Sequence, residues 1–225
     1  MMFALSERAQ DFIARTQAFI QQEIEPIEKA FWDEVHQLNV DGDWTKWQWP
    51  AQLEQLKTKA KAAGLWNMFL PDTELGAGLS VQEYAHIAEL TGRSLLAPTV
   101  FNCNAPDSGN MEVLWRYGSD EQKRQWLQPL LAGETRSVFC MTEPAVASSD
   151  ATNMQATAVV DGDEIVLNGR KWWSSGLGDP NAKVIIFMAY TPDPNKDRHH
   201  QHSMVLVPID TQGVSIERML PVFGD

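Results

Sequence analysis

Two hydrophobic periods divide the chain. Over residues 12–38 the apolar positions Phe12, Phe19, Ile20, Ile24, Ile27, Phe31, Val35 and Leu38 recur mostly at spacings of three, four and seven, which marks one helical face. Pro26 falls inside that stripe and is expected to kink or divide the helix, because proline lacks an N–H and crowds the preceding turn. A second helix is expected over 50–64, with Pro50 at its start, Gly64 at its end and Leu53, Leu56, Ala60 and Ala63 as its buried stripe. The stretch 65–71 is too short and too apolar for its period to decide. Ser80 and Glu83 have the spacing of a capping box and open a helix to about Gly92. Another helix ends near Gly118, and Ser119 and Gln122 cap the next, which closes at Gly133. That makes five or six helices before Gly133.

Beyond Gly133 the pattern alternates. Strands are expected over 137–142, 154–160, 164–167, 171–174, 183–190, 203–208 and 214–218. Asp161-Gly162-Asp163 and Asn168-Gly169 read as hairpin turns, and 192–202 as a long polar loop. Short strands with no helices between them predict a small antiparallel barrel or sandwich. The fold class is therefore α+β: an all-α N-terminal domain over 1–134, then an antiparallel barrel or sandwich domain over 135–225. That β domain is expected to be incomplete, since the pattern stops at Pro221-Val222-Phe223-Gly224-Asp225 without a closing strand.

Composition narrows the function. With 225 residues, 44% of them apolar and 21% charged, the chain can bury a real core. A net charge of −12 and an isoelectric point near 4.8 argue against nucleic-acid binding, because no basic field collects phosphates. Two cysteines, Cys103 and Cys140, are too few for a disulfide framework and fit a reducing compartment. Residues 1–20 carry Glu7 and Asp11 and no continuous apolar segment, and no run is long enough for a membrane span. A cytoplasmic protein is the expectation.

Most candidate motifs dissolve on inspection. Gly76-Ala77-Gly78 and Gly176-Leu177-Gly178 do not continue as dinucleotide-binding loops. His199, His200 and His202 lie in a polar loop beside Asp197 with no evident fourth ligand, so no metal site is assigned. No serine or cysteine sits on a nucleophile elbow. Two segments remain. In Phe139-Cys140-Met141-Thr142-Glu143-Pro144-Ala145-Val146-Ala147-Ser148-Ser149-Asp150 an apolar strand gives way to a loop of small and hydroxylated residues, which admits close backbone approach to a planar or phosphorylated ligand. The same composition also describes an ordinary strand exit. In Asn168-Gly169-Arg170-Lys171-Trp172-Trp173-Ser174-Ser175-Gly176, read as a strand, the two tryptophans face opposite ways and Ser175 shares the side of Trp173. Only one ring can then belong to the core, and the other is either an exposed aromatic or the wall of a ring-binding site.

Together, and in this order, the two segments resemble the acyl-CoA dehydrogenase family, and the resemblance spans essentially the whole chain. It implies a helical domain, a β-barrel domain and a C-terminal four-helix domain, with FAD held between the last two. It also implies removal of an α-proton by a carboxylate base, hydride transfer to the flavin to give a trans-2-enoyl-CoA, and electron transfer to an electron-transferring flavoprotein. On this resemblance Phe139, Met141, Thr142, Trp173, Ser174 and Ser175 are flavin-site residues, with Trp173 against the ring and Ser175 near its reacting nitrogen. Ser148 and Ser149 share one further position, because Glu143 to Asp150 is one residue longer than the usual family loop. Ser149 is the expected residue between flavin and acyl-CoA. The variant motifs resemble the subgroup acting on long-chain acyl-CoAs. The family's base glutamate, its second-subunit FAD contacts and its tetramer-forming helices belong to the third domain, so no catalytic residue is assigned here. A fragment inactive by itself is expected, forming a homodimer or homotetramer when intact. A non-catalytic binding or scaffold module, and a flavin oxidase or monooxygenase of the same fold, are the alternatives.

Overall fold

Ser6 starts the first helix: its hydroxyl accepts from the Ala9 N–H at 3.1 Å. In this computed structural model residues 4–220 and 222 are described. The chain divides into two compact units, Met1–Glu134 and Thr135–Asp225. In the first, α1 (Glu7–Phe19) widens into a π-helical turn (Ile20–Ile24), stops at the turn around Pro26, and resumes as α2 (Glu28–Leu38). The stripe buries Phe12, Phe19, Ile20, Ile24 and Phe31, whereas Leu38 at its end is exposed.

Helix α3 (Gln52–Ala62) buries Leu53, Leu56 and Ala60. Ala63 was expected on that stripe but is exposed, because the helix has ended and Gly64, at φ +66°, turns the chain away. The undecided stretch 65–71 is irregular yet buries Leu65, Met68 and Leu70. Its backbone is held from outside: the Asn67 N–H donates to Phe101 O, and the Asn102 amide donates to both Asn67 Oδ1 and Leu130 O. Both capping boxes form, at α4 (Val81–Thr91) and ahead of α7. Between them lie the short α5 (Ala97–Val100), which the sequence pattern did not reveal, and α6 (Asp107–Tyr117). Then α7 (Asp120–Gln122), a π turn (Lys123–Leu127) and α8 (Gln128–Ala132) form one helical run ended by Gly133 at φ +72°.

The second unit contains β1 (Arg136–Cys140), β2 (Thr157–Asp161), β3 (Glu164–Asn168), β4 (Ala182–Tyr190) and β5 (His202–Pro208). The sheet order is β1-β4-β2-β3, with β5 also on β4. The α+β class with a helical first unit holds, whereas the expected all-antiparallel pairing is corrected: the sheet is mixed, and it is not closed among the described residues. One edge of β4 is shared end to end: β1 runs parallel along 182–187, and β2 parallel at the single pair Thr157↔Tyr190. The antiparallel β5 covers the other edge from Val184 to Tyr190. Parallel neighbours need long crossovers, so the chain between β1 and β4 must leave the sheet and return. Apart from Phe139 and Cys140 on β1 and Asn168 on β3, both candidate segments lie in the connections between β1 and β4.

The expected strands over 171–174 and 214–218 are absent from the described residues. The turn after Asp161 forms as read, with Asp161 opposite Glu164 and Gly162 at φ +61°. Asn168-Gly169 is not a hairpin. Gly169 is required by close approach instead, since a Cβ there would lie 2.3 Å from that of Ala156. Of the terminal Pro221 to Asp225 reading, all but Val222 lies outside the described residues.

Candidate functional site

Strand β1 places Val138 and Cys140 on one face, in a small core with Ala182, Ile185 and Val207, and leaves Phe139 half-buried on the other. Beyond Cys140 the chain leaves the sheet and meets the second segment. The Trp172 N–H donates to Thr142 O at 3.0 Å. The Lys171 ammonium donates to Met141 O at 2.9 Å and to Glu143 Oε1 at 2.9 Å. It also lies 5.0 Å from the centre of the Phe187 ring. Residues far apart in sequence are thus laced together across 141–143 and 171–172.

Glu143 closes the loop that follows it. Its carboxylate accepts from the Gln155 N–H at 2.8 Å and the Ala156 N–H at 2.9 Å, while its own N–H donates to Ser148 Oγ at 2.7 Å. The side chains of Lys171 and Glu143 are 5% and 4% exposed, so this is a buried ion pair. Burial pushes the Glu143 carboxyl up, but the Lys171 bond and the two backbone N–H groups outweigh it and hold the carboxyl below its ordinary value. At the end of the loop Asp150 accepts from both the N–H and the hydroxyl of Thr152, starting a 3-10 turn (Ala151–Asn153).

These contacts sort the expected site residues. Met141 is tied to Lys171 and Thr142 to Trp172, and Trp173 follows next in the chain. Trp173 is 50% exposed and has φ +53°, a left-handed conformation that bulky residues rarely adopt. Its ring centre is 6.1 Å from that of Trp172, at 52°. The strand reading of 171–174, with alternating ring directions, is therefore corrected. The left-handed residue breaks the extended path, and the Trp172 N–H is bonded to the loop carbonyl of Thr142 rather than to a neighbouring strand. Burial raises the pKa of the Cys140 thiol, by more than the neighbouring Ser174 hydroxyl and Lys171 charge lower it. Ser148 is 1% exposed and engaged with Glu143, whereas Ser149 and Ser175 are exposed. Among the described residues no three His, Cys, Asp or Glu side chains converge.

The sequence reading missed the Glu143–Lys171 pair. Opposite charges on the two segments were the available signal, but Asp150 and Arg170 lie on the same segments, so charge alone did not single out this pair.

The exposed Trp173 indole, on a segment bonded to Thr142 through Trp172, together with the Ser149 and Ser175 hydroxyls on the same two segments, is a set that fits a planar heteroaromatic group with polar edges. Comparison with known proteins gives the class. The family model for the acyl-CoA dehydrogenase N-terminal domain matches residues 6–134, and that for the middle domain matches 138–225. The chain belongs to the acyl-CoA dehydrogenase family.

Mouse acyl-CoA dehydrogenase family member 11 is 52% identical over 223 residues, covering 99% of this chain and 28% of that protein. A solved Mycobacterium abscessus chain described as an acyl-CoA dehydrogenase is 62% identical with a TM-score of 0.91, covering 99% of this chain and 55% of that one. A Mycobacterium smegmatis glutaryl-CoA dehydrogenase solved with FADH2 is 26% identical with a TM-score of 0.64, covering 93% and 47%. This chain thus spans between about a quarter and about a half of the length of these three relatives. No helix among the described residues is long and apolar enough to cross a membrane.

Proposed function

We propose that this chain carries half of an FAD site in an enzyme that oxidises an acyl-CoA thioester to its trans-2-enoyl form. The observation that supports the reading most directly is Trp173, an exposed indole in a strained backbone conformation, next in the chain to the Trp172 N–H that bonds Thr142 O. Bound FAD would supply a two-electron acceptor for the substrate's hydride. The residues of this chain bind and orient it. Trp173 forms an apolar wall for the ring, with Phe139 and Met141 contributing apolar surface nearby. The Thr142 and Ser175 hydroxyls offer hydrogen bonds to its polar edge, where donors favour charge that appears on reduction.

Ser149, exposed on the loop, is the residue proposed to meet both cofactor and acyl-CoA. Ser148 faces inward and Ser174 is engaged with Cys140, so both support the site from behind. Proton abstraction is assigned to no carboxylate of this chain, and Glu143 in particular is committed to Lys171. An electron-transferring flavoprotein as acceptor and a homo-oligomeric assembly complete the proposal.

The test is a visible absorption titration of the purified chain with FAD. The wild type is expected to take up flavin with a shifted, structured spectrum. Trp173→Ala should weaken retention by about 2–4 kcal/mol, the scale of losing a large buried aromatic contact. Equal flavin retention by the variant would remove Trp173 from the site, and a wild-type chain that leaves the spectrum of free FAD unchanged would overturn the proposed half-site.

A further inference from the structure

We propose that Glu143 and Lys171 are positioning residues, a buried charge pair that sets Thr142 and Trp173 in the arrangement the cofactor site needs. The inference rests on the flavin reading above for what that arrangement serves, but not for the arrangement itself. Thr142 is flanked by the two acceptors that Lys171 engages, the Met141 carbonyl and the Glu143 carboxylate. Trp173 lies two residues beyond Lys171, and the intervening Trp172 N–H is bonded to Thr142 O. One ammonium therefore spans both segments, and one carboxylate closes the loop behind them onto Gln155 and Ala156. Neither head group needs to touch the cofactor. Their effect is transmitted through main-chain atoms they hold, which is how outer-shell partners orient the groups that do the binding.

A buried pair can also be only a structural filler, and the two roles separate experimentally. Lys171→Met or Glu143→Gln alone leaves a buried charge without its partner and should lower the unfolding midpoint strongly. The double variant carrying both substitutions removes the unpaired charge with side chains of similar size, although a glutamine supplies one acceptor oxygen and leaves one of the Gln155 and Ala156 N–H groups without its partner. It cannot restore the bond from residue 171 to the Met141 carbonyl. The expected result is a midpoint above those of the single variants, with the Trp172 amide exchanging faster than in the wild type while amides of β4 paired to β5 are unchanged. FAD affinity should fall by about tenfold or more, the order that outer-shell partners contribute elsewhere.

Recovery of Trp172 protection and FAD affinity together with the rise in midpoint would overturn the proposal. If the double variant fails to fold, Glu143→Asp decides the matter, because it keeps the charge but loses the reach to Gln155 and Ala156. Wild-type exchange and FAD affinity in Glu143→Asp would equally overturn it. A wild-type chain that ignores FAD would sink the flavin reading alone, since amide exchange at Trp172 still reports whether the pair positions the two segments.

Discussion

Trp173 and Ser148 show how single residues divide between strain and support. A tryptophan at φ +53° persists only where its surroundings over-determine it, and here Lys171 and the Trp172 N–H anchor the chain just before it. Ser148 is the quieter partner. Its hydroxyl is the acceptor for the buried Glu143 N–H, so Ser148→Ala leaves that donor unsatisfied. The expected cost is about 1–3 kcal/mol, read from denaturant unfolding of the chain. A loss smaller than the error of that measurement would mean that water replaces the hydroxyl. Ser149→Ala, at an exposed position, should leave stability unchanged. In sequence the two serines are indistinguishable, because the longer loop blurs their register. Only the burial of one and exposure of the other separates them.

Among the elements, α1 and α4 are joined by one carboxylate that the sequence half revealed. Ser80 and Glu83 were legible as a capping box, a purely local pattern. That Glu83 also accepts from the hydroxyl and the N–H of Ser6, the cap of α1, follows from a contact between residues 77 positions apart. Four hydrogen bonds from Ser6 and Ser80, with the Ser6 hydroxyl the largest influence, hold the Glu83 pKa at about 2 against an ordinary 4.5. A carboxylate depressed in the folded state stabilises fully above its unfolded value, and that contribution is lost as pH falls through the folded one. The gap in unfolding midpoint between wild type and Glu83→Gln should therefore be constant above about pH 4.5 and shrink towards pH 2. A gap independent of pH would show that neutral hydrogen bonding alone accounts for the cap.

Across the whole molecule, surface charge and one exposed hairpin work against each other. Val159, Val160, Ile165 and Val166 on β2 and β3 are all exposed, on both faces of a hairpin whose outer strand β3 pairs only with β2 among the described residues. Such an edge invites pairing with another chain. The net charge of −12 opposes that association and vanishes near pH 4.8. Light scattering should peak near that pH, and Val160→Lys should suppress the peak; an undiminished peak would place the association elsewhere. Spacing along the chain was enough to specify the helix stripes and caps, the switch from a period near 3.6 to alternation after Gly133, and the pair of segments that carry the family resemblance. These are properties of near neighbours, where spacing settles which side chains share a face. Long-range packing was needed to make β1 and β2 run parallel to β4, to turn 171–174 into a loop rather than a strand, and to bring Glu143 to Lys171. Each of these depends on partners brought together by a long crossover. The conformation of Trp173 follows from those partners, not from its own preference.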